Sequence, residues 1–418
     1  MNKVKSFIKK ILKSNTVIFK LVQSILTYLN RYLRFARIIH KFYNTDNVYI
    51  EINHGNNETF FGYYDKLPVN RNGKVLFHST EIPTSKKPDN QVKIHIGLYD
   101  LRTKDFKMVE SSNSYNWQQG TRLQWLNDTE FVYNDFCEKK GIYVTKRYNL
   151  AIRGISDIYE FPIQETLGEE IFYSLNYRRL RSLREDYGYY NLPKMSNLEL
   201  KSIHNDGIWE INYQTKKSYL IFSINEIIKI NYRESFSDYY HWLNHIMVSP
   251  NKTKVVFLHR CRKGIKKLDR LFAFCPRKRK LNLIVDYSPI SHFNWINEVE
   301  LICFFYGNGK ELNYKKINIL NNSVEETSCF GEFNNFDGHP TVRENVYLTD
   351  TYPDKFGFQK LIFSHEKNSP KIIGEFYHSL KFKNVTRCDL HPKYFEGKVF
   401  FDQVNNFKRR ASILDVNV

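Results

Sequence analysis

From about residue 48 onward, short runs of β-branched and aromatic residues alternate with turn signals. The clearest unit starts at His245. HIMVS is followed by the turn Pro250-Asn251-Lys252, then by KVVFLH (Lys254–His259), a basic loop, DRLFAF (Asp269–Phe274), a further turn and KLNLIVD (Lys280–Asp286). Runs of this kind bounded by such turns predict four antiparallel strands. The plan returns as HFNWI, ELICFF, ELNYKKIN and a strand near Val324. It returns again as HPTV, NVYLTD, QKLIFS and KIIGEF, and once more as HPKY, KVFFD and RRASILDV. Looser units with the same strand–turn–strand grammar cover Phe61–Thr80 and Arg122–Asp135. A third lies around Ile171–Leu180, with Asp206–Phe222 as its outer hairpin. Seven units of roughly 45–50 residues predict an all-β chain, a seven-bladed β-propeller over residues 48–418.

The repeat has a chemical corollary. His245, His292, His339 and His391 follow one another at nearly constant intervals, each opening a similar phrase. Equivalent positions of propeller blades lie at one depth around a central axis, so these four imidazoles are expected to converge. Asp337 precedes His339 by two residues, and Asp389 precedes His391 by two. Residues two apart in a strand share a face, so each pair suits a metal ligand with an orienting carboxylate. His and Asp together suit Mn, Fe or Zn. The alternative is structural: a histidine at the start of a blade also ties adjacent blades through backbone bonds. His241 and His245 are four apart, but the Pro250 turn argues against a helical metal pair.

Other candidates lie beside these. Tyr64 and Asp65 sit in a dense aromatic turn. Trp117, Gln119 and Trp125 place amides beside indoles, a mix that suits sugar rings, although a core role is equally compatible. Arg387, beside Asp389, and Arg260 are placed to hold a carboxylate or phosphate bidentately. No dinucleotide fingerprint, phosphate loop, HExxH or GxSxG signature occurs.

Charge sets the first segment apart. Of the formal net charge of +19, more than half resides in residues 1–44, which contain no Asp or Glu. Val4, Phe7, Ile8, Ile11 and Leu12 recur at helical spacing. The segment is too short of uncharged length to span a bilayer. It reads as a basic amphipathic helix (residues 1–47) lying on an anionic membrane surface. A second basic run covers Arg260–Lys267 and Arg277–Lys280. Nucleic acid is not expected as a partner, since no helix-turn-helix, finger or RNP-like motif is present. Six scattered cysteines without a CxxC pair, and no evident secretory signal, predict reduced thiols in a cytoplasmic protein held peripherally on the inner face of the membrane.

The phrases ETFFGYYDK, NWQQGTRLQWL, REDYGY, HWLNHIMVSPN, SHFNW, DGHPTV with LTDTYPD, and RCDLHP span Glu58 to about Asp402. The chain thereby resembles a bacterial propeller family found among cell-surface polysaccharide biosynthesis genes. More distantly it is similar to oligogalacturonide lyases, seven-bladed propellers with a manganese-binding histidine cluster. The first resemblance implies a carbohydrate-active protein of capsule or O-antigen type biosynthesis, with glycosyl transfer from a sugar nucleotide at the inner membrane face. The second implies His292, His339 and His391 as ligands of a divalent metal, Mn in particular, and β-elimination of an oligouronide. A non-catalytic glycan-binding scaffold is the third alternative.

Overall fold

In the computed structural model, residues 49–416 are described except 287, 307–310 and 366–368, together with Ser24 and Ile25. The expected amphipathic segment therefore lies almost wholly outside the described residues. Among those residues, no helix is long and apolar enough to cross a membrane.

The described strands form seven four-stranded antiparallel sheets, the blades of a β-propeller. Blade 1 is built from Glu58–Phe60, Lys74–Thr80, Ile94–Asp100 and Phe106–Ser112. Blades 2 and 3 begin at Gln124–Trp125 and Glu165–Leu167. Blade 4 comprises Tyr240–Val248, Val255–Lys263, Lys266–Phe274 and Leu281–Val285. Blades 5 and 6 begin at Ile290–Trp295 and Thr341–Arg343. Blade 7 takes Lys393–Phe395, Lys398–Asn405 and Lys408–Asp415 from the far part of the chain. It receives its fourth strand, Tyr49–Glu51, from the beginning of the described residues, with Tyr49 opposite Leu414 and Glu51 opposite Ser412. That pairing covers an edge that would otherwise expose unpaired backbone groups.

The alternation read in the sequence is what fills the seams. Apolar residues such as Val256, Leu258, Phe293 and Trp295 pack between blades 4 and 5, and Leu348, Leu390 and Phe401 between blades 6 and 7. Each such residue removes apolar surface from water at about 25 cal/mol per Å².

Two departures from the expected plan matter. In blade 1 the first strand is interrupted. Phe60 pairs with His78, the chain leaves the sheet, and Val69 rejoins it opposite Val75. Phe61–Leu67 therefore forms a loop rather than strand. In blade 3 the strand Ile171–Ser174 gives way at Tyr177 to helix α1 (Tyr177–Leu183), within an excursion that also holds α2 (Asn197–Lys201). Asn176 caps α1, and a Ser196–Glu199 capping box starts α2. Buried Arg179 ties the excursion down, donating to Asp206 (2.5 Å) and to the carbonyls of Leu200, Ser202 and His241.

The second basic run does not form one patch. Arg262–Lys267 surrounds the turn between the second and third strands of blade 4, whereas Arg277–Lys280 lies between the third and fourth. In an antiparallel sheet these turns are at opposite ends.

Candidate active site

The four in-phase histidines meet. Ring centroids are 4.3 Å apart for His292 and His339, 4.3 Å for His339 and His391, and 5.9 Å for His245 and His292. All four are buried. His245 and His292 fall at bulges of their innermost strands, which re-aim a side chain out of the regular pleat. His245 and His391 hold left-handed backbone at φ 54° and 46°. For a residue with a Cβ this costs on the order of 1–3 kcal/mol and is concentrated where function demands a particular aim.

The blade 1 loop closes the cluster. Tyr63 stacks on His245 at 5.3 Å and meets His391 edge-on at 4.8 Å, while Tyr64 lies 5.3 Å from His339. The loop is fixed from blade 7. Asp402 accepts from the backbone N–H groups of Phe61 (2.7 Å) and Gly62 (3.1 Å), and Lys393 donates to the Gly62 carbonyl (2.9 Å). Gly62 sits at φ 99°, and a Cβ there would come 3.2 Å from the Gln119 carbonyl oxygen. Burial lowers Lys393 to about 8.

His339, Asp389 and His391 each offer one ligand atom, all within 4.8 Å of one another. Their surroundings differ in a way that suits a cation. Asp350 accepts from His339 Nδ1 (2.9 and 3.0 Å), which leaves Nε2 free as a donor atom to a metal. The same carboxylate accepts the backbone N–H groups of His339 (2.7 Å) and His391 (3.0 Å). Gly338 makes the approach possible, since a Cβ there would lie 1.9 Å from the Asp350 carbonyl oxygen. Both ring nitrogens of His391 are buried without a hydrogen-bond partner. A buried imidazole left in that state costs on the order of 1–3 kcal/mol, and a metal ligand bond relieves it. The donor set His, Asp, His fits Mn, Fe or Zn. Asp389 is held below the usual carboxylate range, to about 2, against its burial by Arg387.

The carboxylate partners differ from those expected. Asp337 does not orient His339; it accepts from Ser291 Oγ (2.6 Å) and from His292 Nδ1 (3.2 Å), one blade back. Asp389 lies 4.0 Å from His391 Nε2 and is gripped by Arg387 through both oxygens (2.6 and 2.7 Å). Arg387 also lies over Tyr352. Arg260 is engaged by Asp269 (2.9 Å), Asn244 and the Ser291 carbonyl.

The expected sugar platforms are placed elsewhere. Trp117 is fully buried against Phe60 and Tyr115 and donates to the Lys86 carbonyl. Trp125 donates to Pro68 and packs on Phe131. Asp65 is taken by Arg122 (3.1 and 2.9 Å), a buried pair that also binds the Gln164 carbonyl. Gln119 is buried beside Gly62, with its Oε1 lacking a partner. Tyr64 spends its hydroxyl on the Phe293 carbonyl. His241 is not part of the cluster; its Nδ1 meets His259 Nε2 at 3.0 Å.

Residues not singled out in the sequence complete the site. The short 3-10 turn Glu185–Tyr187 of the blade 3 excursion packs against the turn Asn384–Thr386 that leads into blade 7. This brings Tyr187 Oη to 3.1 Å from Tyr63 Oη, which in turn lies 3.4 Å from His245 Nε2. A cavity of 680 Å³ between blades 3 and 4, lined by Gly168, Glu170, Lys252, Cys275 and Arg277, is built on turns at the end opposite the histidines.

Asp350 is the connection whose loss is most legible. Asp350→Ala is expected to weaken metal binding about 10–100-fold, the usual cost of removing a carboxylate behind a ligating histidine. It also orphans two backbone N–H groups, so the melting temperature falls, and Asp350→Asn, which keeps one acceptor oxygen, falls between. Metal titration and thermal denaturation of the three proteins check this. An Asp350→Ala protein with unaltered metal affinity would remove that carboxylate's role.

No family model and no curated protein match the chain. Solved structures do. An oligogalacturonate lyase in complex with manganese aligns with a TM-score of 0.61 at 13% identity, covering 90% of this chain and 94% of that one. The oligogalacturonate lyase of Vibrio parahaemolyticus aligns at 0.59 and 13%, covering 90% and 95%. A prolyl endopeptidase aligns at 0.51 and 10%, covering 87% of this chain and 50% of that one. At such identities the likeness shows the seven-bladed propeller fold.

Proposed function

We propose that this chain is a metal-dependent lyase that cleaves a uronate-containing oligo- or polysaccharide by β-elimination. The observation that carries the reading is His391, buried with neither ring nitrogen hydrogen-bonded, its ligand atom within 4.8 Å of those of His339 and Asp389. The likeness to a manganese-bound lyase over nearly the full length of both chains supports it by analogy of fold. His339, Asp389 and His391 would hold a divalent cation, which would supply positive charge for a substrate carboxylate and so make the adjacent C–H more acidic.

The remaining roles fall to the chain's own groups. Burial holds His245 well below the ordinary imidazole range, with Arg260 adding to the effect, so it is a neutral base at pH 7. It accepts the C5 proton of the uronate; the C5–H electrons form the C4=C5 bond as the C4–O bond breaks. Tyr63, kept protonated by burial, is placed beside His245 to give the leaving oxygen its proton. Arg260 and Arg184, each paired with a carboxylate, Asp269 and Asp186, lie near His245 and help to keep its ring unprotonated.

The polysaccharide-biosynthesis phrases favour a second reading, glycosyl transfer from a sugar nucleotide by a protein held peripherally at the cytoplasmic membrane face. A scaffold role is the third. The experiment that separates them uses the purified full chain. Metal content is measured for wild type and His339→Ala, and both are incubated with oligogalacturonate and other oligouronates while ultraviolet absorbance of the unsaturated product is followed. The lyase reading expects Mn in the wild type only and a chelator-sensitive rise in absorbance. Equal, negligible metal in both proteins would end it, and binding of a nucleotide sugar without an unsaturated product would turn the choice to transfer.

A further inference from the structure

The second and third strands of blade 4 run nine residues each, Val255–Lys263 and Lys266–Phe274, and stay paired to Lys263 opposite Lys266. Only Gly264 and Ile265 make the turn, with Gly264 at φ 58°. A two-residue turn with glycine first asks for nothing apolar second. Yet the apex is an isoleucine that is fully exposed, at 102%. Arg262, Lys263, Lys266 and Lys267 surround it. Lys263 pairs with Asp238 and Lys267 with Asp269, whereas Arg262 and Lys266 have no ion-pair partner among the described residues.

The apex does not stand alone. Lys201 of α2 donates to the Ser237 carbonyl (2.6 Å), next to Asp238, so α2, the turn Glu234–Asp238 and the hairpin form one rim of blades 3 and 4. Leu198 of α2 is 84% exposed, and Tyr232, before the turn, is 53% exposed. These segments join second to third strands or fourth to first strands, so they lie at the end of the propeller that carries Asp337–His339 and Arg387–His391. Arg260, beside the histidines, is five residues from Ile265, or about 17 Å along an extended strand.

We propose that this rim is a membrane-docking surface, with Ile265 entering the acyl boundary of an anionic bilayer and the unpaired Arg262 and Lys266 holding lipid headgroups. The exposed Ile265 and Leu198 beside unpaired cations select a bilayer over a soluble polyanion. A polyanionic glycan rewards the cations but offers nothing to Ile265 or Leu198. Apolar burial and attraction of basic residues act together only at an interface with both components. The inference does not depend on the lyase reading; it concerns where the histidine-bearing end faces.

The test uses the full chain throughout, so that any contribution of residues 1–44 is common to all proteins. Binding is measured to vesicles of phosphatidylcholine alone and of phosphatidylcholine mixed with phosphatidylglycerol. Wild type is expected to prefer the anionic vesicles, less so at high salt. Ile265→Asp is expected to bind more than about tenfold more weakly, from losing one buried aliphatic side chain and from the repulsion of the new carboxylate by the anionic surface. Arg262→Ser with Lys266→Ser is expected to bind about 25-fold more weakly, at about fivefold per basic residue near an anionic surface. In Ile265→Trp, fluorescence should shift to the blue and be quenched by brominated acyl chains only when anionic vesicles are present. Ile265→Asp binding that equals wild type, or an Ile265→Trp that brominated lipid does not quench, overturns the proposal. If the double serine variant alone weakens binding and heparin competes with the vesicles, the rim is a polyanion site and bilayer insertion is likewise rejected.

Discussion

His391→Asn is expected to yield a folded protein that binds no manganese and forms no unsaturated product. Asparagine is chosen because it tolerates the left-handed backbone that His391 occupies at φ 46°. Its backbone N–H keeps Asp350 as acceptor. What disappears is an imidazole that has no hydrogen bond to lose, since neither ring nitrogen has a partner. A purely structural histidine would behave oppositely, because removing it would break a bond and lower the melting temperature while sparing any chemistry. The loss of metal affinity should exceed the roughly 10–100-fold that deleting a carboxylate behind a ligand costs. Elemental analysis, thermal denaturation and the ultraviolet assay on one preparation decide the matter. Full metal content in His391→Asn would exclude the imidazole as a ligand.

Acid should unfold this protein through its buried imidazoles, with stability falling from pH 6.5 downward. His78, His241 and His259 lie off the metal triad and are buried as neutral rings. Burial lowers His78 to about 3 and His241 to about 4 from 6.5, and holds His259 well below 6.5. For each, the unfolded chain takes up a proton below pH 6.5 that the folded chain refuses. Stability is therefore complete above 6.5 and falls as pH drops toward the folded value, by about 1.4 kcal/mol per pH unit per ring. Three rings give a slope of about 4 kcal/mol per pH unit, and His245, His292 and His391 act in the same direction. His339, raised by Asp350 against its burial, contributes a full and pH-independent stabilisation below 6.5 that is lost only as pH rises above it, so it leaves the acid slope unchanged. Set against a typical stability of about 5–15 kcal/mol, the loss should place the acid midpoint between pH 6.5 and 4. Circular dichroism along a pH series measures it, and a native spectrum at pH 4 would show that these rings charge without unfolding the chain.

The convergence of His245, His292, His339 and His391 was legible because a repeat carries depth along with period. Their carboxylate partners were not, because proximity within a sheet follows register rather than sequence distance. Thr341 stands opposite Leu348, and that register carries His339 back to Asp350. The phrase LTDTYPD held the signal, but only hairpin pairing makes it readable. Asp337 turned to the preceding blade, which no spacing rule within one repeat foresees. The pairing of Tyr63 with Tyr187 depends on an interrupted strand and on a helical excursion, both exceptions to the repeat. Trp117 and Trp125 illustrate a different limit, since an indole beside amides has the same composition in a core as in a sugar platform.

The bridge between the two ends of the described chain has a consequence for how the protein comes into being. The donors for a cation come from blades 6 and 7, whereas the loop that seats them comes from blade 1 and is latched by Asp402. During synthesis, a ribosome delivers the seat first and its occupants hundreds of codons later. Contacts of such long separation form slowly, so the donor set is complete only after blades 6 and 7 have been made and have closed on blade 1. A metal site built this way would fill in the closed propeller rather than in a partial one.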